Sequence, residues 1–306
     1  MSVHRFSVVA SVMSEDLRVA AEPARRAGFA GLVIDAHPSG AGAIDLTTLS
    51  QSGRRELRHV CESAQTPIVA LQCELGARAR VRSAETDRAL ARARQAIETA
   101  AGLRVPMVCV DLGSLPAAPT PQTPRAPVSD AMAGLILLPT PAETKQFADR
   151  TSPAEQAGSA DEAFVSRTRA VMDELARATD RTGVRVAFGS TLASPRSLAA
   201  AVRAIDTPLF GIDFDPAAII ASGLSMEAAF DLLSPRIIHV RARDAVAGEG
   251  QRSKPTIVGR GDVNWRELMT LLTEANYHGA ITLSPIHLPD PPSAAIRGLE
   301  KLVSSY

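Results

Sequence analysis

Aromatic residues make up only 4% of this 306-residue chain, with a single Trp. That scarcity argues against a deep pocket that stacks sugar rings or bases. Net charge is missing as well, since 33 Lys and Arg balance 33 Asp and Glu. The balance removes any general case for nucleic acid or an anionic membrane as partner. Long apolar runs are absent: residues 134–138, among the longest, fall far short of the roughly 20 residues a membrane span needs. The first residues hold one short apolar run followed at once by Glu15 and Asp16. That pattern reads as a strand rather than a signal peptide, which makes the cytoplasm the expected location. Cysteine is scarce too. Cys61, Cys73 and Cys109 are odd in number and widely spaced, so buried free thiols in a reducing compartment are expected, not a disulfide framework.

What is present is rhythm. Runs at residues 6–10, 31–35, 68–72, 107–111, 184–188, 209–213, 237–241 and 279–283 read as strands. Helical spacing fills the intervals. Helices are expected from the N-cap Ser14 to Gly28, over residues 50–64, over 85–101 with Gly102 as the stop, and over 161–179. Further helices open at Ser194-Pro195, at the N-cap Ser225 and near Asn264-Trp265, and a closing helix covers 293–304. Pro23 inside the first helix predicts a kink or a break.

Residues 210–244 set the pattern for the whole chain. One strand there ends in Asp213 and Asp215, a helix follows, and the next strand ends in His239, Arg241, Arg243 and Asp244. Two strands joined through a helix make a parallel unit, because an antiparallel return needs only a short turn. Eight such units predict a (β/α)8 TIM barrel, one domain over residues 1–306. A doubly wound open sheet would favour a glycine-rich turn after the first strand, and residues 8–12, VVASV, contain no glycine.

The rhythm fails at residues 113–160, where Pro116, Pro119, Pro121, Pro124, Pro127, Pro139, Pro141 and Pro153 stand among Ala, Thr and Ser. Proline at this density excludes a continuous helix or a central strand, with residues 134–138 the one candidate strand. The stretch is expected to be a Pro/Ala-rich insertion after strand four, a surface loop or a lid.

Several segments, ARRAGFAGLVID, SGRRELRHVCESAQTPIVALQ, GIDFDPA, RIIHVRARD and VGRGDVNWRELMTLLTEANYHGAITL, resemble the xylose isomerase-like TIM barrels. The resemblance implies kinship with sugar and sugar-phosphate isomerases and epimerases and with endonuclease IV. It also implies a divalent metal at the C-terminal mouth, held by Glu, Asp, His and Glu on strands five to eight. Those positions fall here on Gly189, Asp215, Arg241 and Ser284, and a further His common in the family is Ala218. A single carboxylate beside a guanidinium is a poor cage for a cation that needs several oxygen donors. No metal and no other cofactor is therefore expected. An endonuclease-like role needs a His-rich three-metal centre, and the chain has only six His.

Strand alternation puts Asp213 with Asp215, and His239 with Arg241 and Arg243, on single faces. Arg241 is expected to take over the positive charge and pair with Asp215 or Asp213 through a bidentate contact. Arg241, Arg243 and Arg260 then offer an anion site for a phosphate or carboxylate. Asp35 and His37 after strand two, Gln72 and Glu74 at strand three, and Asp111 at strand four are candidate lining residues. His239 reads as a satisfied core histidine or a ligand contact, and His287, past strand eight, as the better candidate base.

Three functional readings remain open. One is an isomerase or epimerase relative that binds a small anionic carbohydrate, with activity resting on Asp215, Arg241 and His287. Another is a non-catalytic scaffold whose ion pairs plug the barrel. A third is an active enzyme with its metal moved to Asp35, His37 and Glu74. The expected partner is a sugar or sugar phosphate, without nucleic acid or membrane, and homo-oligomerisation is left open.

Overall fold

The computed structural model describes residues 4–38, 44–75, 83–113, 115, 116, 118, 153–191, 193–248 and 253–305. Strands β1 (Arg5–Val9), β2 (Leu32–Asp35), β3 (Ile68–Glu74), β4 (Met107–Asp111), β5 (Arg185–Gly189), β6 (Phe210–Phe214) and β7 (Ile237–Ala242) follow one another around a closed barrel. A separate antiparallel hairpin, β8 (Asp244–Ala247) with β9 (Ser253–Thr256), comes next. Strand β10 (Ala280–Leu283) then pairs with β7 on one side and β1 on the other, and every barrel pair is parallel. The (β/α)8 barrel expected from the rhythm is the observed fold.

The helices are α1 (Ala10–Met13), α2 (Leu17–Arg26), α3 (Gln51–Ser63), α4 (Ser83–Leu103), α5 (Pro153–Thr182), α6 (Pro195–Arg203), α7 (Pro216–Ser222), α8 (Met226–Leu233), α9 (Trp265–Glu274) and α10 (Pro291–Val303). Barrel strands covered by helices outside and packed side chains inside have no wet face. Runs such as Val108-Cys109-Val110 and Val186-Ala187-Phe188 are accordingly buried at every position. Helix starts follow local chemistry: Ser50, Ser194, Ser225, Asn264 and Asp290 each accept a backbone N–H three residues on.

The structure departs from the sequence expectations in specific places. The second helix is capped by Asp16, whose carboxylate accepts from Arg18 N, rather than by Ser14. It runs through Pro23, because the bond that proline removes belongs to the carbonyl of Val19, an exposed residue that water can reach. Helix α4 continues through Gly102 and ends before Arg104, which takes the left-handed conformation at φ 58°. A Cβ on Gly102 would meet the Arg54 guanidinium at 2.5 Å, so this glycine lies under the Arg54 side chain rather than at a helix stop. Helix α5 starts at Pro153 rather than 161, with proline at its first position, so residues 153–160 are helical. The candidate strand at 134–138 and most of the Pro-rich stretch lie outside the described residues. Helix α7 and the β8–β9 hairpin were not foreseen.

Candidate functional site at the barrel mouth

Barrel register decides which polar side chains meet. Ser7 is the register partner of Thr282, Thr282 of Arg241, and Asp213 of His239. On the other side of the barrel Asp35 is level with Gln72, and Glu74 with Asp111. Two polar groups result, one inside the barrel and one at the carboxyl ends of the strands.

The inner group is a continuous chain of contacts. Ser7 Oγ lies 2.7 Å from Thr282 Oγ1, which lies 2.7 Å from His239 Nε2. His239 Nδ1 donates to Asp213 Oδ1 at 2.7 Å, while Arg241 Nε and Nη2 both donate to Asp213 Oδ2, at 3.0 and 2.5 Å. Burial works to raise the Asp213 carboxyl, but Arg241 and His239 outweigh it and hold the group well below the usual carboxylate range. Burial opposes charge on His239, yet Cys109 and Asp213 beside the ring push it up to about 10. With Asp213 fully enclosed, this network is the polar heart of the barrel.

The outer group surrounds a cavity of about 130 Å³ lined by Gln72, Glu74, Asp111, Thr191, Arg241, Arg243, Ser284 and His287. Strands β3 and β4 supply its acidic wall, and the end of β7 supplies its guanidinium wall. Asp111 accepts from Gly113 N at 2.7 Å, and burial still raises its carboxyl above the ordinary value. Asp35 is raised for the same reason and accepts from Gln72 Nε2 at 2.5 Å. Asp215 ion-pairs with Arg243, and its Oδ1 also caps α7 by accepting from Ala217 N and Ala218 N at 3.1 and 3.4 Å. The Nε of Arg243 is buried without a hydrogen-bond partner among the described residues.

Of the candidates read from the sequence, Gln72, Glu74, Asp111, Arg241, Arg243 and His287 come together in this cavity. The others stand elsewhere. Arg241 pairs with Asp213 rather than Asp215, and both of its donors converge on one oxygen because His239 already holds the other. Asp213 and His239 lie beneath the mouth, buried to 1% and 2% exposure. His37 is turned to the backbone carbonyl of Arg92 at 2.9 Å, and Asp35 lies behind Gln72. Arg260 is exposed on the loop that wraps Asp244. Ser7 and Thr282 were missed, although each is a hydroxyl at an inward position of an otherwise apolar strand. Thr191 left no signal.

Asp35, His37 and Glu74 do not converge on a common point. Among the described residues, the donor atoms of Cys109, Asp213 and His239 lie within 4.8 Å of one another, all buried. Both Asp213 oxygens and both imidazole nitrogens are already bonded there, so a cation would have to displace Arg241 and break the imidazole contacts.

A closed barrel of eight parallel strands with helices outside it belongs to the class of TIM-barrel proteins. The chain belongs to the xylose isomerase-like TIM barrel family, whose sequence profile matches residues 21–304. Solved structures of similar fold include a D-tagatose 3-epimerase-like protein, at 18% identity and TM-score 0.68, covering 98% of this chain and 96% of that one. A xylose isomerase domain protein from Planctomyces limnophilus gives 17% identity and TM-score 0.65, covering 99% and 96%. A D-psicose 3-epimerase from Clostridium cellulolyticum H10, solved with D-tagatose, gives 14% and 0.65, covering 98% and 99%. At these identities the likeness is one of fold. A search of curated proteins finds no match. Among the described residues, no single helix is long and apolar enough to cross a membrane.

Proposed function

We propose that this chain binds a small anionic carbohydrate, a sugar acid or sugar phosphate, at the barrel mouth and moves a proton on it in an isomerase or epimerase reaction without a metal. One observation carries the reading: two guanidiniums face two carboxylates and a histidine across a single small cavity. Neighbours of the same fold named as sugar epimerases support carbohydrate as the ligand class.

The positions at which the family resemblance places metal ligands, Gly189, Asp215, Arg241 and Ser284, do not fit a divalent ion. Gly189 offers no donor, Arg241 is a fixed cation, and Asp215 is already held by Arg243 and two backbone N–H groups. No step is therefore assigned to a metal. Arg241 and Arg243 supply the positive charge instead. A guanidinium aimed at a carbonyl oxygen stabilises the negative charge that develops when a proton leaves the neighbouring carbon. Asp111, its carboxyl raised above the ordinary value by burial, suits proton transfer, with Glu74 or His287 as its counterpart across the cavity. Asp215 is a positioning residue that aims Arg243.

The experiment is proton exchange. Uronates and ketose phosphates are incubated with EDTA-treated protein in D2O and followed by proton NMR. The reading predicts deuterium at the carbon beside the carbonyl, unaffected by EDTA and lost in Asp111→Asn. Absence of both exchange and calorimetric binding across the panel would leave the barrel as a scaffold.

A further inference from the structure

Beside the mouth lies a second cavity, of about 210 Å³, that proton transfer does not use. One part of its wall is apolar, formed by Ala218 and Ala221 of α7, Pro255 of β9, Val258, Leu283 of β10 and Leu288, while Arg243, Ser284 and His287 make the side toward the mouth polar. Three structural choices create it. Helix α7 carries alanine at 217, 218 and 221, so no long side chain fills the space. The β8–β9 hairpin packs against α7 and roofs the space. The loop after β10 closes the remaining side. A cavity of about 150 Å³ with aliphatic walls already accommodates benzene, so this one is large enough for a ring or a short branched chain.

The two cavities are neighbours that share part of their walls. Thr191, Arg243, Ser284 and His287 line both. Arg243 stands at the junction, holds Asp215 through Nη2 and lines both spaces, so it is the cation within reach of either. One molecule spanning both spaces would place its anionic group at Arg243, its hydroxyls toward Glu74 and Asp111, and an apolar group against Ala218 and Ala221.

We infer that the ligand is an anionic carbohydrate carrying an uncharged apolar substituent about the size of a benzene ring, as in an aryl glycoside of a sugar acid, with that substituent seated between α7 and the β8–β9 hairpin. The inference rests on the mouth being an anionic-carbohydrate site. Calorimetry with D-glucuronate and D-galacturonate, and with their phenyl glycosides, tests both levels separately. At least one phenyl glycoside is expected to bind ten-fold or more tightly than its parent acid. In Ala221→Phe, which fills the apolar cavity, that ratio is expected to fall below three-fold. Ala221→Leu, a smaller change, should give an intermediate ratio and serves if the phenylalanine variant fails to fold. Parent acids that bind while their phenyl glycosides bind equally or more weakly would overturn the apolar site and leave the mouth standing. A ten-fold preference that survives in a folded Ala221→Phe would overturn its location. Failure of all four probes to bind would overturn the mouth reading, and this inference with it.

Discussion

Arg241 is the side chain that lets Asp213 remain ionised inside the barrel. Asp213 has no exposed side-chain surface, and an unpaired charge there is expensive. Arg241→Ala should destabilise the fold by about 3–5 kcal/mol in urea unfolding, the range for breaking a buried pair. Asp213→Asn added to that variant should recover much of the loss, because the stranded charge goes with it. A loss under about 1 kcal/mol, the scale of an exposed pair, would contradict the burial argument. His239 makes a pH prediction. Its folded value lies near 10, above the unfolded value of about 6.5. Its contribution is therefore complete below about pH 6.5 and drains away as pH rises toward 10. Nitrogen NMR should find both ring nitrogens protonated at pH 8, and a neutral ring at pH 7 would contradict the account. Alternation along β6 and β7 made Asp213, His239 and Arg241 legible as inward residues. Which carboxylate meets which guanidinium was not legible. That depends on a register shift between Ile212 and Asp213 and on α7 claiming Asp215 as its cap.

At the scale of elements, the segment after β7 is organised by one buried carboxylate. Asp244 accepts from the backbone N–H groups of Ala245, Gly259, Gly261 and Val263 and from Trp265 Nε1. The stretch GRGDVNW is thus a loop wound around Asp244, and Gly261 is required because a Cβ there would sit 2.2 Å from Asp244 Oδ1. Asp244→Ala strands several donors at once and should cost more than about 3 kcal/mol, at roughly 1 or more for each buried group left unsatisfied. Equilibrium unfolding checks it, and a change under about 1 kcal/mol would show that the loop does not depend on this hub. The sequence motif marked this loop as special without showing what it wraps. Caps and proline-led starts, such as Ser50 and Ser194-Pro195, were readable because their chemistry is local. Helix α7 escaped notice since seven residues give too little periodicity. The hairpin escaped because SKPT lacks an apolar alternation.

Across the whole molecule, the barrel was readable from repetition alone, while the chemistry at its mouth was not. A fold supplies positions, and the residues placed there decide what is done. Charge at this mouth is divided, with the Asp111 carboxyl raised by burial on one side, the raised Asp35 carboxyl behind it under Gln72, and guanidiniums on the other side. Protonation of those carboxylates as pH is lowered removes negative charge near Arg241, so the comparison is between pH 7 and a lower pH at which the fold persists. Affinity for an anionic sugar should therefore rise over that interval, and the rise should shrink in Asp111→Asn. Calorimetry at the two pH values measures it, and affinity that falls with pH would contradict the arrangement.

The central claim is that arginine holds the place of a divalent cation in this barrel. Titration of EDTA-treated protein with Mn²⁺, followed by calorimetry and by the electron paramagnetic resonance of the free ion, tests it most directly. The account predicts no saturable site up to millimolar metal. One ion bound per chain, and lost in Asp215→Asn or Asp213→Asn, would contradict it.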